Sequence, residues 1–237
     1  MSAPASSPPS VFFLHHAGEW ADSMEGSSDC LSLMGRIAEW IKLFGSESSA
    51  SIAEGVRVKC DVFTSMSILP QVISDARDFY SSAREWSQSG PSTGIFTMVL
   101  SCKKVGMDGL GLVGTAAQTV LLGESLKVAS LATRQVVLLQ AVVYTVSLLL
   151  DGADFMGNCL ELYRETKPEK RRHAWLCFVT NGTSVALAFL SLGTLFLGPS
   201  TSRFWGTRTT LTLGTVYLAA KLSSHFYKKM RVELSQT

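Results

Sequence analysis

The residues of this chain that can do chemistry lie in a few small constellations, each weighed by the spacing its chemistry needs. Gly109, Gly111 and Gly114 spell G-x-G-x-x-G within DGLGLVGT. A dinucleotide pyrophosphate takes that turn directly after a strand, with an acid about 20 residues on for the ribose. Here Lys103 to Asp108 separate the preceding apolar run from the first glycine, and the next acid, Glu124, comes too early. At Gly106, Gly109 and Gly114 the small residues serve better as close helix contacts. His15, His16 and Glu19 carry metal-ligating groups, but no H-E-x-x-H pattern is present and His173 and His225 lie beside basic clusters. A pair of surface histidines in a flexible leader is the plainer reading. Asp151, Asp154 and Glu161 offer carboxylates. Acid–base work also needs a nucleophile, a glycine loop or a second acid at fixed spacing, and without these a solvated helix face accounts for them.

The remaining signals point the same way. Asn181-Gly182-Thr183 matches the glycosylation sequon but sits inside an apolar run, where a bilayer hides it. Its polar atoms suit a helix–helix face. Cys30, Cys60, Cys102, Cys159 and Cys177 are odd in number, scattered, and free of C-x-x-C pairs, which argues against a disulfide framework and a zinc site. No G-x-S-x-G, Walker or kinase signature occurs. The expectation is a chain with no enzymatic activity, no cofactor and no metal.

The elements that would position any site read as helices. Cys30, Leu33, Met34, Ile37, Trp40, Ile41 and Phe44 recur at helical spacing, Ser28 or Asp29 can cap the helix, and Gly45 can end it. Ile52, Val56, Cys60, Phe63 and Met66 repeat the pattern. Pro70 then interrupts, suiting the first turn of a third helix that runs through Val72, Ile73, Phe79, Tyr80 and Trp86. SQSGPSTG, residues 87–94, is the clearest boundary. Period-two alternation does not persist anywhere, so the fold class expected is all-α: amphipathic helices, then apolar ones.

Beyond that boundary the chain turns apolar. Val128 to Leu150 is apolar apart from Arg134, Gln135 and Gln140. Such a helix fits the centre of a bundle or a bilayer, and the polar interruptions favour a buried or interfacial place. Ala174 to Gly198 runs 25 residues without a charge, and Thr209 to Tyr227 is interrupted only by Lys221. A bilayer core takes about 20 apolar residues as a helix. The pair therefore reads as a transmembrane hairpin, 174–227, whose small residues Gly182, Ser184, Ser191, Gly193, Gly214 and Ala220 let the two arms, or two copies, pack closely. Lys167, Lys170, Arg171 and Arg172 precede it, Lys228, Lys229 and Arg231 follow it, and only Arg203 and Arg208 lie in the break. That asymmetry predicts both outer ends in the cytosol. Arg171, Arg172, Trp175, Trp205, Tyr227, Lys228 and Lys229 fall where interfacial anchors belong.

Charged residues are 17% of the chain, below the usual share of about 25%, and the net charge is +2. Nucleic acid is therefore not an expected partner. The domains expected are a Ser/Pro-rich disordered leader (1–18), an amphipathic helical region (19–89), membrane-proximal or partly inserted helices (94–167), the hairpin (174–227) and a basic tail (228–237).

Two apolar arms with a short turn, behind a Ser/Pro-rich leader, resemble the chlamydial inclusion membrane proteins. The likeness implies type III secretion, insertion into the inclusion membrane and cytosolic termini. It covers Ala174–Gly198, Pro199–Arg208 and Thr209–Tyr227, with a further apolar region, Leu110–Leu150, ahead of the usual pair. The early amphipathic helix and late apolar segment are also similar to the peroxisomal membrane-elongation family. The function expected is non-enzymatic: an integral membrane protein that displays residues 19–89 to the cytosol for protein–protein interaction. Leu33, Met34, Ile37, Trp40, Ile41 and Phe44 are the candidate contact surface. The bilayer, an unidentified protein and a second copy of the chain are its partners. The alternatives are membrane remodelling by Cys30–Phe44 lying in the lipid interface, or a soluble all-α bundle.

Overall fold

The structure is a computed structural model and describes residues 24–88 and 95–236, with the side chains of 28–88, 100–168, 170–198 and 206–227 among them. Every regular element among the described residues is a helix: α1 (Met24–Phe44), α2 (Glu47–Met66), α3 (Ile68–Gln88), α4 (Ile95–Ser125), α5 (Thr133–Arg164), α6 (Pro168–Leu197) and α7 (Pro199–Gln236). The leader and the tip of the 87–94 boundary lie outside the described residues.

Local chemistry explains most of the helix ends. Gly45 closes α1, its N–H bonded to the Ile41 carbonyl at 2.7 Å. The Ser46 hydroxyl then accepts the Ser49 N–H and starts α2. Pro70 sits in the first turn of α3, where its missing N–H costs nothing. The α4–α5 connection turns through Lys127 at φ 58°, and α5 begins at Thr133 rather than Val128. Gly198 (φ 79°) separates α6 from α7, and Gly206 (φ 67°) kinks α7. Both values favour glycine, which has no Cβ to clash.

The chain forms two compact units, each assembled from separate stretches: Met1–Thr64, Asn158–Thr180 and Gly214–Thr237 in the first, Ser65–Gly157 and Asn181–Leu213 in the second. Consecutive helices within each unit run antiparallel, as shown by the residues they bring together. In the second unit Lys104 Nζ meets Glu85 at 2.9 Å and Ser82 donates to Asp108. There a Cβ on Gly114 would come 2.9 Å from Val146, and one on Gly182 3.0 Å from Phe155. In the first unit Lys42 Nζ meets Glu54 at 2.9 Å, and the α6 residues His173 and Cys177 face Tyr227 and Ser224 of α7.

Candidate membrane region and its polar contacts

Among the described residues, three helices are long and apolar enough to cross a bilayer: Leu100–Ser125, Thr133–Arg164 and Lys170–Leu197. α7 is not among them, so the second arm of the expected hairpin is less apolar than the first. The Val128–Leu150 region proves to be the most apolar of the three, yet only 6% of its apolar window is buried. Of the expected buried or interfacial place, the structure does not show burial within the protein. Leu138 and Leu149 are 58% and 51% exposed, and Met156 is exposed as well. A helix apolar on every side and uncovered by protein carries the pattern of one covered by lipid.

Several polar groups on these helices have hydrogen-bond partners within the protein. The Ser184 hydroxyl of α6 donates to Asp151 Oδ2 of α5 at 2.6 Å. Thr115, Thr119, Thr180 and Thr194 return their hydroxyls to carbonyls one turn earlier, at 2.8–3.1 Å, which satisfies them inside their own helix. Asp154 and Glu161 are exposed. Gly109 and Gly114 are close helix contacts, against Phe79 and Val146, while Gly106 faces open space. All lie inside α4, so no strand leads into the G-x-G-x-x-G.

In the first unit, α7 is flanked by two helices. On the α6 side His173 and Tyr227 place their rings 6.3 Å apart, and Cys177 Sγ lies 3.7 Å from Ser224 Oγ. On the α1 side Trp40 Nε1 donates to Thr215 Oγ1 at 3.2 Å, Lys221 Nζ lies 2.9 Å from Asp29 Oδ2, and the Arg36 guanidinium rests on Gly214. Of the small residues in the two arms, Gly182 receives Phe155, Gly214 receives Arg36, and Gly193 faces open space. Lys221, the one charge in the second arm, has its carboxylate partner 192 residues earlier in the chain. Sequence spacing carries no signal for such a pair.

The expected contact surface divides. Met34, Ile37, Ile41 and Phe44 are 52%, 50%, 43% and 64% exposed. Leu33 and Trp40 are half-buried, and Ala38 and Gly35 are the buried positions between them. Trp40 also stacks on Phe44 with centroids 5.5 Å apart. Among the expected interfacial anchors, Arg171 and Arg172 are exposed, Trp175 is 56% exposed, and Tyr227 is half-buried. The side chains of Trp205, Lys228 and Lys229 lie outside the described residues.

An ion network ties α1 to α2. Glu54 meets Arg57 at 2.6 Å and Lys42 at 2.9 Å, and Arg57 also meets Asp61 at 2.8 Å. The hydrogen bond from Arg57, and next that from Lys42, hold the Glu54 carboxyl down at about 2. Burial, and then the adjacent Asp29 carboxylate, push the Cys30 thiol up. No family model matches the chain, and no curated protein or solved structure matches it either.

Proposed function

We propose that the chain is a polytopic membrane protein that works by binding rather than catalysis, with α1–α3 held on the cytosolic side as a protein-docking region. The observation that carries this reading is the three long apolar helices whose apolar windows are only 22%, 6% and 11% buried. The exposed row Met34, Ile37, Ile41 and Phe44 supports the docking role.

Charge supports the orientation. If α4, α5 and α6 cross, the side holding α1–α3 and the α5–α6 connection carries Lys103, Lys104, Arg164, Lys167, Lys170, Arg171 and Arg172 near the bilayer. The other side carries Lys127, Arg134, Arg203 and Arg208. Basic residues favour the cytosolic face, and that bias assigns the docking region to the cytosol. The α6–α7 pair returns the C-terminus to the same face. Placement as a secreted protein of the inclusion-membrane kind draws on this antiparallel pair and on the Ser/Pro-rich residues 1–18.

Alkaline carbonate extraction of the expressed chain tests the reading. A membrane-spanning protein stays in the pellet. Recovery in the supernatant, monodisperse without detergent, would overturn it.

A further inference from the structure

We infer that the chain pairs with a second copy of itself inside the bilayer, along the side of α5 that carries Asp154 and Asn158. The inference rests on the membrane reading above and names the partner for one side of one span.

Depth comes first. Along the continuous helix α6, Ala174 begins the uncharged run. Helical rise puts Gly182 about 12 Å and Ser184 about 15 Å beyond that start. Phe155 lies against Gly182, and Ser184 donates to Asp151, so the packing fixes the level of α5 beside α6. Asp154 falls between those two contacts, close to the middle of a hydrocarbon core about 30 Å thick. A charged side chain at that depth is costly and is found facing protein or water, not lipid. Asp154 is exposed, and it has no hydrogen bond or ion pair among the described residues.

Position around α5 comes next. In the second unit α4 reaches α5 at Val146, and α6 reaches it at Asp151 and Phe155. At about 100° per residue, those contacts lie on nearly opposite sides of the helix and leave two sides open. One open side carries Leu138, Val142, Leu149, Met156 and Leu160, which are 37–61% exposed and form an apolar stripe suited to lipid. Asp154 lies across the helix from Met156, on the other open side, with Ser147 and Leu150 deeper along it. Asn158 stands one turn nearer the edge. Gly157 flanks them and has open space where a Cβ would stand.

The chemistry of that side says what covers it. A carboxylate accepts hydrogen bonds, and an asparagine amide donates them. Acceptor and donor lie one turn apart on one side of the helix. A two-fold axis along the membrane normal therefore brings each Asp154 to the Asn158 of the other copy, and each Asn158 to the other Asp154. The surface is its own complement. Copies inserted under the same charge bias share one orientation, so the two seams meet at equal depth. Gly157 puts no side chain between the two α5 helices, and small residues with interhelical hydrogen bonds are what hold membrane helices together. The apolar stripes then face outward to lipid.

The test uses the full chain reconstituted at high lipid dilution in liposomes of phosphatidylcholine and phosphatidylglycerol. Ser147→Cys places a thiol on the Asp154 side, and Leu149→Cys places one on the apolar stripe. A membrane-permeant oxidant links copies that touch, and peptide-resolved mass spectrometry reads which cysteines have joined. The link between two copies at 147 should form, and the one at 149 should not. Adding Asp154→Leu should lower the yield at 147 about eightfold, the scale of two hydrogen bonds between membrane helices. The exchange Asp154→Asn with Asn158→Asp keeps an acceptor and a donor one turn apart and should restore the yield, which a merely misfolded variant would not do. In a chain that stays with the liposomes through alkaline carbonate, any of four results overturns the pairing alone: no link at 147, a link at 149 as strong as at 147, a yield untouched by Asp154→Leu, or an exchange that leaves it low. Release of the chain by carbonate overturns the membrane reading and the pairing together.

Discussion

At the scale of single residues, the contacts are tight enough to give definite outcomes. Gly114 is buried in α4, and a Cβ there would come 2.9 Å from Val146 Cγ1. Valine is stiff at χ1 and cannot swing aside cheaply. Gly114→Leu should cost about 1–3 kcal/mol through overpacking, seen as a lower unfolding midpoint in detergent. Glu54 gives a pH effect of known sign. Its carboxyl is held at about 2, below the ordinary 4.5, first by the Arg57 hydrogen bond and then by that from Lys42. A group depressed on folding stabilises in full above its ordinary value and loses that contribution as pH falls through its folded one. The α1–α2 pairing should therefore slacken between pH 4.5 and about 2, followed by hydrogen exchange of the α1 amides. Glu54→Gln should remove that acid-dependent part while leaving α1–α2 looser at neutral pH.

At the scale of helices, periodicity and breakers made most of the fold legible. Gly45 and Pro70 sit where the expected ends of α1 and the first turn of α3 fall. The onset of α5 was not legible, because the apolar letters run on through Val128 while the backbone turns at Lys127. Nor was the inward side of α1. Its large apolar residues suggest a packing stripe, but Gly35 and Ala38 are what it buries, and Asp29, Arg36 and Trp40 make its contacts to α7. Long-range pairing of this kind leaves no trace in local spacing. The environment of α5 has a direct test. Leu138 and Leu149 are both more than half exposed. In water, replacing either with Arg would shift stability by at most about 0.5 kcal/mol. Facing lipid, the same change costs about 2.5–3.5 kcal/mol near mid-bilayer on the insertion scale. Leu149→Arg and Leu138→Arg should each lower the membrane-integrated fraction in a translocon insertion assay, and neutrality at both would return α5 to water. The Ser184–Asp151 bond between α6 and α5 is a smaller term. Its loss in Ser184→Ala should cost about 0.6–1.7 kcal/mol in detergent unfolding, the range seen for hydrogen bonds between membrane helices.

At the scale of the whole molecule, orientation follows from charges that no single helix controls. The α5–α6 connection and the start of α6 are where basic residues concentrate, with Lys167, Lys170, Arg171 and Arg172 in quick succession. Exposed Thr166 lies beside them, and exposed Ser130 lies in the opposite connection. In a bacterial inner membrane, a cysteine at 130 should react with an impermeant maleimide from outside, while one at 166 should stay silent until the cells are opened. Replacing Lys170, Arg171, Arg172, Lys228, Lys229 and Arg231 with Ser would leave Lys103, Lys104, Arg164 and Lys167 against Lys127, Arg134, Arg203 and Arg208, four basic residues on each side. With the bias gone, the two orientations should become comparably populated, and position 166 should begin to label in intact cells. If 166 remains silent after that change, flanking charge is not what orients the chain. The fold of the α1–α2 region before α4 emerges would then have to set its direction, because long folded segments translocate with little regard to charge.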